Sequence, residues 1–177
     1  MLVVAPHLAQ GVTPAPPHDY SKETENGEYV LVMLGDPRLA TPVRQKYNRA
    51  GLYRNDGSNE PLWTVDFWER RAIPCSDGEH MIVLRPSFYS RGAVSFYRNG
   101  HEQKRYMIEE LVKDKSRLTS ICGILDWLHK AEYSERRGTL LIRTRDGETY
   151  VFSATTGEKL PFWRWAVLRL QPGRRGK

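Results

Sequence analysis

The chain has little of what catalytic and metal chemistry usually need. Cys75 and Cys122 are its only thiols, and no CxxC spacing occurs, so neither a zinc motif nor a dithiol redox motif can be read from them. In an exported protein the two would be able to pair, whereas in the cytosol they would be reduced core thiols. The five histidines, His7, His18, His80, His101 and His129, form no HxH or HExxH pattern, which argues against a zinc centre. No GxSxG is present, so the elbow that presents a nucleophilic serine is missing. The glycines fall in turn contexts and not in a phosphate-cradling loop. No cofactor is therefore expected. Nor is there a run of 18 apolar residues, so no membrane-spanning helix is expected.

What is present favours β structure. Five Trp, nine Tyr and five Phe stand against four Met, and aromatic side chains fit pleated surfaces. A length of 177 residues makes one domain the default. The formal net charge of +6 and the pI of about 9.4 have two readings. A solvated basic surface is the simpler one, and an acidic or anionic partner is the other.

Residues 1–24 read as a leader and linker. MLVVAPHLAQ is apolar and gives way to Pro14, Pro16 and Pro17. It is either the remnant of a secretion signal or a plain leader. An exported or periplasmic location is expected on this basis, with the cytoplasm as the alternative. A single β-rich domain is expected over 25–170, followed by a basic tail at 171–177.

Within the domain, residues 51–68, GLYRNDGSNEPLWTVDFW, read as a hairpin turning at Asp56-Gly57, because glycine supplies the positive φ of tight turns. Its second strand is expected over 61–68, with Trp63, Val65 and Phe67 on one face and Asp66 on the other. The run YVLVML at 29–34 reads as a strand buried on both faces. Residues 37–50 read as a polar loop, long enough to be a place to look for function. A turn at 76–79 precedes a strand at 80–84, and 86–91 is a loop carrying Phe88 and Tyr89. A hairpin through Asn99-Gly100 joins 92–99 to 103–108, and 109–118 has room for one helical turn. In 120–133 the spacing of Ile121, Ile124, Leu125 and Leu128 is helical, but Gly123 and Trp127 favour a strand. Strands at 139–144 and 149–154 meet at Asp146-Gly147. In the tail, Trp163, Trp165 and Val167 alternate with Arg164 and Ala166.

Aligned by their turns, these pieces repeat. Gly57, Gly100 and Gly147 are spaced 43 and 47 apart. Antiparallel meanders with a period of about 44 residues are the signature of propeller-type blades. The expected fold is therefore all-β, with three propeller-like units of three or four strands. Three units are too few for an ordinary closed propeller of at least about four blades. Two arrangements follow: a wrapped meander whose edge is sealed by the tail at 162–170, or a homodimer formed through edge strands.

The pieces GLYRNDGSNEPLWTVDFW, CSDGEHMIVLRPS, AVSFYRNG and VFSATTGE resemble a group of uncharacterised bacterial proteins, often exported, with propeller-like β-meander units. SDGEH and TTGE are also similar to turns in lactonase-like and WD40-like propellers. The resemblance spans about residues 26–158. It implies architecture and no particular activity. The chain departs from WD40 blades in lacking the Trp-Asp dipeptide.

The candidate binding surface combines Trp63, Asp66 and Trp68 of the hairpin with Phe88, Tyr89 and Arg91 of the loop, because exposed aromatics on loops mark binding surfaces. Asp66 is otherwise a structural ion pair or a turn acceptor. Asp126 and His129 would form an acid–base pair only on a helix, since a strand sends them to opposite faces. Trp163, Arg164 and Trp165 with Arg169, Arg174, Arg175 and Lys177 suit either an anionic surface or a closing strand with a solvated tail. The expected function is a non-enzymatic binding or protein-interaction module with a protein or anionic partner. Nucleic acid is not the expected partner. One alternative is a basic module for an anionic polymer or membrane surface. Another is a lactonase-like hydrolase, which needs carboxylates and a His or Asn converging on one pocket.

Overall fold

The apolar run that begins at Tyr29 forms a strand with both faces covered. In the computed structural model, which describes residues 16–85, 92–121 and 124–162, this strand is β2 (Tyr29–Met33). Leu31 and Met33 face one core, and Val30 and Val32 face another. Strands β1 (Tyr20–Glu23), β2, β3 (Gly51–Arg54) and β4 (Pro61–Thr64) form a four-stranded antiparallel sheet in sequential order.

The second sheet repeats this order with β5 (Ala72–Pro74), β6 (His80–Leu84), β7 (Val94–Arg98) and β8 (His101–Tyr106). A two-stranded ladder of β9 (Thr119–Ile121) and β10 (Ile124–Asp126) follows. The third sheet holds β11 (Leu128–Ser134), β12 (Thr139–Thr144), β13 (Thr149–Ser153) and β14 (Lys159–Leu160). All pairings are antiparallel, and none of the three four-stranded sheets closes on itself. The chain is all-β, with four strands in each large sheet.

Alternation decides how the sheets stack. Met81 and Val83 of β6 and Tyr97 of β7 join Leu31, Met33, Leu52 and Trp63 in a core between the first and second sheets. Their neighbours Ile82, Leu84, Val94 and Phe96 point the other way, and pack on Leu140, Ile142 and Phe152 of the third sheet. The second sheet is thus covered on both faces. Each fully buried Leu, Ile, Val or Phe contributes about 1.5–3 kcal/mol relative to exposure. The outer face of the first sheet is covered by its own connection. In the expected polar loop, Thr41 caps the short helix α1 (Pro42–Lys46), and Val43 and Tyr47 lie over Val30, Val32 and Tyr53.

The tight turns have the backbone the glycines imply. Gly57, Gly100 and Gly147 have φ of 91°, 79° and 100°. At Gly100 an added Cβ would come within 2.3 Å of the Thr64 carbonyl oxygen, so the β7–β8 turn lies directly against β4 of the first sheet. Residues 120–133 follow the strand reading wherever they are described, and one helical turn, α2 (Ile108–Leu111), starts one residue before the segment 109–118 expected to hold it.

Two boundaries differ from expectation. Regular structure begins inside the expected leader, because β1 pairs with β2 from Tyr20↔Met33 to Glu23↔Val30. Asp19 fixes this start. Its buried carboxylate accepts from the Gly35 amide at 2.7 Å, the Thr41 hydroxyl at 2.5 Å and the Arg44 guanidinium at 2.9 Å. The expected strand 61–68 ends at Thr64. The chain then bends, and Val65, Phe67 and Trp68 still reach the core between the first two sheets.

Candidate functional site

Of the expected aromatic surface, the described residues are the hairpin half, Trp63, Asp66 and Trp68. Trp63 is buried, and its indole N–H donates to the Gly78 carbonyl at 2.9 Å, tying the first sheet to the second. Trp68 is half-buried and donates to the His18 carbonyl at 2.8 Å, with the His18 ring edge-on at 5.9 Å. Both indoles are spent on holding the fold. Asp66 is exposed, away from the core that Trp63, Val65 and Phe67 enter, and makes no ion pair among the described residues. Phe88, Tyr89 and Arg91 lie outside the described residues, as do Cys122, residues 1–15 and residues 163–177. Asp126 pairs with Arg145 at 2.6 Å, while His129 is exposed.

A buried polar chain lies on the second sheet. Arg85, 8% exposed, donates to Glu69 at 2.5 Å, to the Ser95 hydroxyl at 2.7 Å and to the Tyr97 hydroxyl at 3.2 Å. Tyr97 donates in turn to Glu102, which is held by Arg105. Burial alone would lower the Arg85 pKa, but Tyr97 and Glu69 outweigh it and hold the guanidinium above its ordinary value. The Arg85 carbonyl accepts from the Trp127 indole at 2.9 Å. A satisfied buried network of this kind rigidifies a core.

Beyond this network opens a cleft of about 620 Å³. The first strand of each large sheet borders it: Tyr20 and Lys22 from β1, Ala72 and Ile73 from β5, and Leu128 to Ala131 from β11. Its exposed lining is basic apart from Ser21 and holds Lys22, Arg70, Arg71, His129 and Lys130. Its buried and half-buried lining is Ala72, Ile73, Leu84, Leu128 and Ala131, with the ring of Tyr20. The cations form a rim and the apolar groups a floor. No carboxylate is present among the described lining residues.

Electrostatically the rim is under-compensated. Lys130 is ion-paired with Glu132, and Glu69, next to Arg70 in sequence, is taken up by Arg85. Lys22, Arg70 and Arg71 make no ion pair among the described residues. Desolvation by the surrounding protein lowers the Lys22 pKa, and nothing opposes it. An anion bound there would reverse that shift. Tyr20 donates its hydroxyl to the Glu69 carbonyl at 2.6 Å, and burial raises its phenol to about 12, so it remains a neutral donor at physiological pH.

Sequence reasoning missed these cations, because Lys22 falls in the presumed leader and Arg70-Arg71 between units.

Cys75 is a free, buried thiol. Burial pushes it up to about 12, which makes it a poor nucleophile. Among the described residues no three His, Cys, Asp or Glu side chains gather where a metal ion would sit, and no helix is long and apolar enough to cross a membrane. Comparison with protein-family models gives no match, and comparisons with curated proteins and with solved structures give none either.

Proposed function

We propose that the protein is a binding module that takes an anionic ligand into the cleft between the first strands of its three sheets. One observation carries this reading. Lys22, Arg70 and Arg71 converge from two sheets on one concavity, without an ion-pair partner and without a carboxylate in the described lining. Like charges brought together repel, and an anion relieves that repulsion. The expected binding module thus keeps its class, but its site moves from the aromatic hairpin to the cleft, and its anionic alternative becomes the leading form.

The propeller-like reading belongs to the same proposal. Three sequential meanders, each opening with a strand at a shared cleft, support the view that β1, β5 and β11 are inner strands around a common axis. Edge-mediated dimerisation has less support, because the outer strand β8 carries Glu102, Lys104 and Arg105, which discourage strand addition. An exported location rests on the apolar stretch at residues 1–10 alone. A hydrolase would require a convergence of carboxylate and histidine that the cleft lining does not supply.

The test is calorimetric titration with pyrophosphate at two salt concentrations. Binding should weaken steeply as salt rises, and Arg71→Ser should reduce it about tenfold or more. Binding that is absent at low salt, or indifferent to Arg71, would overturn the proposal.

A further inference from the structure

We infer that the ligand of the cleft is an amphiphilic anion, with a charged head for the rim and an apolar body for the floor. This rests on the anion-binding reading and narrows it. A site for a small, fully hydrated anion has no use for an apolar base, because phosphate or sulfate is held by donors on every side. Here the donors are one-sided. Lys22, Arg70 and Arg71 are exposed, while Ile73, Leu84 and Leu128 lie at the buried end of the cleft. The volume of about 620 Å³ exceeds what a lone inorganic anion fills, and falls in the range of sites that enclose small organic ligands.

The neighbouring groups fit the same division. The one carboxylate adjoining the arginines in sequence, Glu69, is engaged by Arg85, so the rim keeps its positive field. Tyr20 turns its hydroxyl to the Glu69 carbonyl, which leaves its ring to the cleft wall. A monoalkyl phosphate or a medium-chain carboxylate has the required chemistry: one anionic end and a flexible hydrocarbon body.

Decyl phosphate, kept below its micelle-forming concentration, is the probe, with pyrophosphate and inorganic phosphate as comparisons. Decyl phosphate should bind about tenfold or more tightly than inorganic phosphate. Its binding should also show a negative heat-capacity change that pyrophosphate lacks, since only the alkyl chain buries apolar surface. Ile73→Thr keeps a β-branched residue in β5, and should weaken decyl phosphate severalfold while leaving pyrophosphate unchanged. Arg71→Ser should weaken both. Equal affinity for decyl and inorganic phosphate, with both sensitive to Arg71, would overturn the amphiphile and leave the anion site standing. Decyl phosphate binding that ignores both salt and Arg71→Ser would overturn the two together, as would no binding of any probe.

Discussion

The indole of Trp127 donates its N–H to the backbone carbonyl of Arg85 across 2.9 Å, and the side chain of that same arginine is held by Glu69, Ser95 and Tyr97. Trp127 immediately precedes the third sheet, and Arg85 immediately follows strand β6. One residue therefore fixes the second sheet internally through its guanidinium and binds the approach to the third through its backbone.

This arrangement makes Arg85 costly to lose. Arg85→Met removes the cation, leaves the Ser95 hydroxyl without its donor and Tyr97 with Glu102 alone, beside a Glu69 that is only partly exposed. The expected loss is about 3–5 kcal/mol, as for other broken buried pairs. Glu69→Gln keeps a polar acceptor and should cost less. Urea unfolding of the two variants and of the double variant tests this. A double-variant loss equal to the sum of the two single losses would show that the residues are not coupled.

Gly100 and Gly57 form a controlled comparison. Both have left-handed backbone, with φ of 79° and 91°. A Cβ at Gly57 meets nothing within 4 Å, whereas at Gly100 it collides with the Thr64 carbonyl. Gly57→Ala should cost about 1–2 kcal/mol for the backbone alone. Gly100→Ala should cost clearly more, and lower the melting temperature further. Equal losses would mean that β4 moves aside freely.

Asp19 should leave a mark on the acid limb of stability. Burial works to raise its pKa, but hydrogen bonds from Thr41, Arg44 and Gly35 outweigh this and hold it below the ordinary 3.8. A carboxylate depressed in the folded state stabilises fully above its unfolded pKa, and loses that contribution as pH falls through the folded value. Wild type should therefore lose stability below about pH 4 more steeply than Asp19→Asn. Chemical denaturation across pH 2–6 measures the difference, and parallel curves would refute it.

Much of the fold was legible because its signals were local. The unbroken apolar runs of β2 and β6 state that both faces are covered, and Asn99-Gly100 and Asp146-Gly147 mark their hairpins at the residues where the chain turns. Strand β1 was not legible. An edge strand reading Tyr-Ser-Lys-Glu has only Tyr20 half-buried, so it shows no hydrophobic period. The aromatic alternation through Trp63, Val65 and Phe67 ran past the true strand end, because side chains beyond a bend can still reach the same core. The cleft was hidden for a different reason. Lys22, Arg71 and Lys130 are about 50 or more residues apart, and meet only through the stacking of sheets, which no local pattern encodes.

The double covering of the second sheet limits how the gene can be cut and rearranged. Met81 and Val83 belong to one neighbour, while Ile82 and Leu84 belong to the other. Removing either outer sheet would leave a full row of large aliphatic and aromatic groups facing water, an adhesive surface for other chains. The three meanders look alike in their winding but are not interchangeable parts. The middle one has no weatherproof side, so it depends on both neighbours at once.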